Sequence, residues 1–297
     1  MATYLKLFKT HTQYETFIGG GGNTPFVKPN VSYCTEENEV HYNPIPHDYS
    51  KDYLTFVALE DGTISFDISN SIGIDKITSI SYSTDNGANW TTTENRNGKQ
   101  ENLSITVNVN KGDKILWKGD AKTLGFYVND EVGFAGSFFS STAKFDAAGN
   151  VMSLIYGDEY KNKITIEKEY TFCFLFRGYN SVKTCGIVNA KNLSLPATTL
   201  ADWCYQYMFN GCTSLTTAPE LPATTLADWC YYYMFNGCSS LNYIKCLATN
   251  ISATLCLYNW VNGVASRGTF VKAASMTSWT TGISGIPSGW TVQDVTV

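Results

Sequence analysis

One stretch of this chain is written twice. Residues 195–215 read LPATTLADWCYQYMFNGCTSL, and the same text returns 26 positions later at 221–241, with only Gln206/Tyr232 and Thr213/Ser239 exchanged. A fixed period of that length with apolar positions in register demands stacking, because a single unit cannot bury its own apolar face. Worn copies flank the pair. Downstream, Cys256 lies 26 residues after Cys230, and residues 260–263 overlay Met234-Phe-Asn-Gly237. Upstream, Leu175-Phe-Arg-Gly178 overlays Met208-Phe-Asn-Gly211. Two clear turns between two atypical ones predict a short solenoid over 159–247, closed by an atypical last repeat and cap over 248–297.

Within one unit the spacing predicts a short helix. Thr199 can cap it, Asp202 suits its first turn, and Asn210-Gly211 can end it in a left-handed conformation. Leu200, Trp203, Cys204, Tyr207 and Met208 then follow the i, i+3, i+4, i+7, i+8 pattern of one buried face. The expected core of the repeats is therefore Leu200, Trp203, Cys204 and Met208, with Leu226, Trp229, Cys230 and Met234 one period on. A fully buried Trp hides ~150–250 Å², roughly 4–6 kcal/mol at ~25 cal/mol/Å² as an upper bound. The same helical pattern points Tyr205 and Tyr231 outward. Together with Tyr232 they form the candidate binding surface, since Tyr offers large contact area at low entropic cost. Packing between repeats or subunits is the plainer use of the same rings.

The twice-repeated Leu-Pro-Ala-Thr-Thr-Leu-Ala, Met-Phe-Asn-Gly-Cys and Ser-Leu segments resemble the BspA-like leucine-rich repeat. The variant is the one found on surface proteins of gut Bacteroidales and in their crAss-like phages. The closing stretch, Asn259-Trp-Val-Asn-Gly263 through Ile283-Ser-Gly-Ile-Pro-Ser-Gly-Trp290, is similar to the tail that ends such arrays. The resemblance covers about residues 170–297. It implies an α/β leucine-rich-repeat solenoid and a binding surface, without naming what is bound.

Residues 51–158 predict an all-β sandwich. Alternating β-branched runs at 53–57, 63–68, 77–82, 103–109 and 114–117 are separated by Asp61-Gly62, Asp85-Asn-Gly87, Asn97-Gly98 and Lys111-Gly-Asp113 turns. A further hairpin is expected from 142–145 and 151–156 around Ala147-Ala-Gly-Asn150. Residues 1–50 read as an extended arm. Tyr4–Phe8 suits a strand, Gly19–Gly22 a flexible joint, and Val31–Cys34 and Val40–Tyr42 edge strands, while four prolines between 25 and 46 oppose helix.

Charged residues make up only 16 % of the 297-residue chain and the net charge is −5, so no basic stripe for nucleic acid is present. No apolar run reaches the ~18 residues of a membrane span, and none at the N-terminus suits a signal peptide. A chain that begins at Met1 in this way is expected to fold in the cell that makes it. Nine cysteines, an odd number, argue against a secreted disulfide framework. Cys204, Cys230 and Cys256 form one column and Cys212 and Cys238 another, which suits stacked core thiols better than zinc spacing. A Cys173–Cys185 disulfide is the remaining alternative.

Ser83-Thr-Asp85-Asn-Gly87-Ala-Asn-Trp90 matches the S-x-D-x-G-x-x-W Asp box of sugar-handling β proteins, a folding device of the hairpin. Of three histidines, His41 and His47 with Asp48 could hold a metal or an interface, although a surface histidine is the commoner case. No Ser-His-Asp or Cys-His arrangement, phosphate loop or dinucleotide fingerprint stands out, so no catalytic residue, metal site or cofactor is expected. A surface-type repeat without an export signal suits a phage virion protein: a head fibre, capsid decoration or tail appendage. Its expected partners are other virion proteins through the arm, a second or third copy of itself, and a host surface glycan or protein. Nucleic acid and membrane insertion are not expected. An exported bacterial adhesin is the alternative, and a glycan-processing enzyme a third reading that rests on the Asp box alone.

Overall fold

The computed structural model describes residues 31–34, 40–42, 47–68, 79–94, 103–121, 123–129, 133–177 and 184–295, in two compact units, 1–48 and 49–297. In the first unit, β1 (Val31–Cys34) and β2 (Val40–Tyr42) pair antiparallel, as their sequence predicts. The expected strand at 4–8, the glycine joint and His11 lie outside the described residues.

The second unit is mostly β with few helices. Its first strands are β3 (Leu54–Ala58), β4 (Gly62–Ile68), β5 (Ser79–Ser83), β6 (Thr91–Glu94), β7 (Leu103–Val109) and β8 (Lys114–Gly119). The chain continues through β9 (Gly125–Asn129), β10 (Gly133–Gly136), β11 (Phe138–Ser141) and β12 (Phe145–Asn150). A four-residue helix, α1 (Ser153–Tyr156), follows. The repeat region contributes β13 (Ile187–Ser194), β14 (Thr217–Leu221), β15 (Tyr243–Cys246), β16 (Thr269–Ala273) and β17 (Thr291–Val295).

Ten of these strands form one sheet in the order β17-β16-β15-β14-β13-β12-β3-β8-β5-β6. From β12 to β17 the neighbours run parallel, whereas β12-β3-β8-β5-β6 are antiparallel. The parallel part is a β-solenoid of about four turns. Thr217 sits beside Tyr243 and Tyr243 beside Thr269, one 26-residue period apart each time. The β region and the repeats thus share a sheet through β12 and β13, with no linker at 158/159.

A three-stranded sheet, β11-β4-β7, covers the antiparallel part. Its Phe66 and Phe139 meet Phe56 and Trp117 of the large sheet, with Phe56–Phe139 centroids 4.7 Å apart and Trp117–Phe139 5.1 Å. Phe139 also stacks on Phe176 at 5.6 Å, and Phe176 on Phe209 at 5.1 Å. One apolar core therefore runs from the β region into the solenoid.

Two expectations are corrected. Ala147-Ala-Gly-Asn150 is not a hairpin turn but the end of β12, and residues 151–156 lead into α1 rather than a return strand. The small residues serve a close approach: at Gly149 (φ 77°) a Cβ would lie 1.9 Å from the Tyr53 carbonyl oxygen. The helix in each repeat is also absent. Residues 202–211 form consecutive turns, and Trp203 and Tyr207 carry φ of 54° and 55°, which no α-helix tolerates.

Candidate functional site

The turn rows replace the helix with a different hydrogen-bond scheme. Alternate amides point along the solenoid axis: Trp203, Tyr205, Tyr207, Phe209 and Gly211 donate to the carbonyls of Asp228, Cys230, Tyr232, Met234 and Asn236 on the next rung, at 2.8–3.1 Å. The amides between them close local turns, as Gln206 to Trp203 O, Met208 to Tyr205 O and Asn210 to Tyr207 O. The same scheme joins row 229–237 to 254–262 and row 170–176 to 202–208. From Tyr205 to Gly211 and from Trp229 to Gly237 every amide thereby finds a partner, the condition for burying non-helical backbone.

Left-handed residues recur at two positions of each row: Tyr170 and Phe174, Trp203 and Tyr207, Trp229 and Tyr233, Leu255 and Asn259. Such a conformation costs a non-glycine residue about 1–3 kcal/mol and persists only where its surroundings enforce it. Here ladder bonds and ring stacking enforce it. Tyr170, Trp203 and Trp229 stack at 5.0 and 4.5 Å, and Phe174, Tyr207 and Tyr233 at 5.3 and 5.1 Å. Sequence reasoning took these positions for helix because their four-residue spacing imitates a helical stripe.

The change of backbone reassigns inside and outside. Tyr205 and Tyr231, expected to face solvent, are each 1 % exposed, within an inner column that runs from Phe172 to Trp260. The Tyr205 hydroxyl finds no hydrogen-bond partner among the described residues. Cys204, Met208, Leu226, Cys230 and Met234 are buried, whereas Leu200, Trp203 and Trp229, also expected in the core, are only half-buried. Tyr232 is half-buried and remains in the surface set.

The surface that results is an aromatic patch across three rungs. Trp203 and Trp229 form one column and Tyr207 and Tyr233 another. Tyr232 stacks on Tyr258 at 5.2 Å and meets Tyr233 at 4.7 Å. Tyr258 is 40 % exposed and Leu255 48 %. The Arg177 guanidinium lies 4.8 Å from the Phe174 ring centroid and 5.1 Å from that of Tyr207, closing one end with a cation. Near the other end Asn259 Nδ2 donates to the Tyr233 hydroxyl at 2.9 Å. Burial, and then the neighbouring Tyr232 and Tyr233, push the Tyr207 phenol up to about 12, and burial likewise raises Tyr232. Both are neutral hydroxyls at physiological pH. A helical reading put Trp203, Tyr207 and Trp229 on the buried face and gave no reason to choose Tyr233 or Tyr258; the Tyr-Tyr-Tyr run at 231–233 was the one signal available.

Polar ladders stiffen the flanks of the patch. The Asp228 amide donates to Asp202 Oδ1 at 3.0 Å, the Thr254 amide to Asp228 Oδ1 at 2.7 Å, and Asn210 Nδ2 to Asn236 Oδ1 at 3.0 Å. The thiols are packing groups. Cys173 and Cys185 are free rather than bridged, and Cys204, Cys212, Cys230, Cys238, Cys246 and Cys256 are also free and buried. Among the described residues no group of three His, Cys, Asp or Glu side chains is placed to hold a metal.

The Asp box folds its own turn. Ser83 Oγ donates to Asp85 Oδ1 at 2.7 Å, and the Asn89 amide and Nδ2 donate to the same carboxylate at 2.9 and 2.7 Å. Those bonds, Asn89 first, lower the Asp85 carboxyl to about 2. Gly87 takes φ 88° over Trp90, whose ring carries Lys118 Nζ at 4.3 Å.

No family model, no curated protein and no solved structure matches this chain. Among the described residues no helix is long and apolar enough to cross a membrane.

Proposed function

We propose that this chain is a non-enzymatic structural protein of a phage particle, a head fibre, capsid decoration or tail appendage that presents its repeats to a host surface glycan or protein. The observation that carries the reading is the aromatic patch of Trp203, Tyr207, Trp229, Tyr232, Tyr233 and Tyr258. It combines large rings, neutral hydroxyls and one cation on a scaffold whose backbone is cross-bonded rung to rung. Rings held that rigidly lose little entropy when a partner covers them, as a recognition surface needs. In this reading the N-terminal arm attaches to the particle and the β region spaces the repeats from it.

The finer fold assignment belongs to the same proposal. Two facing sheets with an aromatic interior support reading the β region as a sandwich. The 26-residue strand-and-turn rungs are a helix-free form of the BspA-like leucine-rich repeat. Peptide mass spectrometry on purified phage particles and on host outer membranes tests the assignment. Stoichiometric peptides in the particles are expected; peptides confined to the membrane, with extra residues before Met1, would make the protein an exported adhesin instead.

A further inference from the structure

The solenoid ends differently on its two sides. At the first row the Thr171 and Leu175 carbonyls accept from the Leu124 and Phe139 amides, and β13 is flanked by β12. That end is sealed by the chain itself. At the far end β17 pairs, among the described residues, with β16 alone. The inner row of the sheet, Ala190, Ala218, Ile244 and Phe270, is 0–3 % exposed, but its next member, Val292, is 44 % exposed. The core row thus runs out into solvent. The segment over the last turn row covers half of it: Ile283 O and Ser284 Oγ accept from the Val261 and Asn259 amides, while Leu255 and Tyr258 stay exposed. Of the five exposed large apolar side chains among the described residues, Leu255, Tyr258, Ile283 and Val292 all lie at this end. Such a concentration on one face marks a contact surface.

The phase of β17 selects what fits there. The Thr291 amide donates inward to Gly268 O, and Val295 O accepts inward from Ala274. By the alternation of a strand, Val292 and Asp294 then direct their amides and carbonyls outward. Laid antiparallel to a second β17 and centred on Gln293, Val292 of one copy faces Asp294 of the other, twice. Both are hydrogen-bonded pairs, so the edge is complementary to itself. Asp294 is already neutralised by Lys272 at 2.6 Å, so no unpaired charge guards the edge. The pairing also reverses the second turn row, setting the covered half of one last rung across from the open half of the other. Leu255 of each copy then approaches Ile283 of its mate. Head-to-tail growth is blocked because the first rung is sealed.

We propose that this chain forms a closed two-fold dimer through antiparallel β17–β17 pairing, joining two solenoids end to end into one continuous sheet. The arrangement doubles the number of aromatic patches on the assembly, and it stands independently of what those patches bind.

Sedimentation velocity and light scattering on the full chain test the dimer directly. The expected mass is twice 32.9 kDa, falling to that of one chain in Asp294→Pro, which removes an outward amide, and in Val292→Lys, which charges the apolar row. Both variants should keep the circular dichroism spectrum of the parent, since neither main-chain amide donates to β16; Asp294→Pro also gives up the exposed ion pair with Lys272, and both should melt lower by what the dimer contributes. A parent chain that is monomeric at the highest attainable concentration would overturn the proposal. So would higher oligomers, or a dimer that survives both substitutions and hence pairs elsewhere.

Discussion

Raising the pH should unfold this protein steeply, and the magnitude follows from its thiols. Cys173, Cys204, Cys212, Cys230, Cys238 and Cys246 are free and buried in the core. Burial pushes each of them above the usual thiol value, Cys246 to about 12. In the unfolded chain they ionise near the ordinary value of about 8.5. The stability these neutral thiols provide is therefore fully present below about pH 8.5 and is lost as the pH rises toward their folded values. Once the unfolded thiols are largely ionised, each proton retained by the fold costs about 1.4 kcal/mol per pH unit. Six such groups give a slope of about 8 kcal/mol per unit, comparable with the ~5–15 kcal/mol by which domains are stable. Tyr205 and Tyr231, raised for the same reason, add to the slope above about pH 10. Urea unfolding followed by Trp fluorescence under reducing conditions, at about pH 7.5, 9 and 10, measures it. The midpoint should hold to about 8.5 and then collapse, and Cys204→Ala should reduce the slope by about 1.4 kcal/mol per unit. A midpoint unchanged up to about pH 10 would refute the burial of the thiol columns.

The remaining predictions concern single side chains. Tyr205→Ala should cost about 3–5 kcal/mol in denaturant unfolding, whereas Trp203→Ala, half-exposed, should cost about 1–2; the reverse order would restore the helical reading. Tyr205→Phe should be neutral or stabilising by about 1 kcal/mol, because it removes a buried hydroxyl without a partner among the described residues. Gly149→Ala should cost about 2–4 kcal/mol, since its methyl meets the Tyr53 carbonyl and its φ is positive; a cost under about 0.5 would contradict that approach. The Asp85 carboxyl should titrate by NMR at about 2. Its contribution is present above the ordinary carboxylate value and is lost only as the pH falls through about 2; a midpoint near 4 would mean the box is not formed.

How far the sequence could be read depends on which physical signal each part carries. The 26-residue period made stacking necessary whatever the unit's conformation, so the solenoid and its atypical ends were legible. The β runs were legible because alternation fixes a pleated, half-buried surface: 63–68, 103–109 and 114–117 fall within strands, and 53–57 meets the strand Leu54–Ala58 one residue late. The turn row was not. Its left-handed residues four apart copy the spacing of a helical stripe, and only contact with the next rung, absent from any single repeat, tells the two apart. The exposed aromatic surface was misplaced by the same error: Tyr205 and Tyr231 went inside and Trp203 and Trp229 came partly out, while Tyr232 stayed half-buried. The end of β12 was misread because Ala-Ala-Gly-Asn is equally a turn sequence and a strand thinned for a neighbour's backbone.

The central claim is that the aromatic patch is a recognition surface, and binding to intact Bacteroidales cells tests it most directly. Fluorescently labelled full-length chain, titrated on such cells by flow cytometry, should bind saturably. The double variant Tyr232→Ala/Tyr258→Ala should lose at least about 1.4 kcal/mol of that affinity, a tenfold weakening, with its melting little changed because both rings are partly exposed. Saturable binding that is indifferent to both substitutions, in a variant that folds normally, would contradict the account and move recognition off the turn rows.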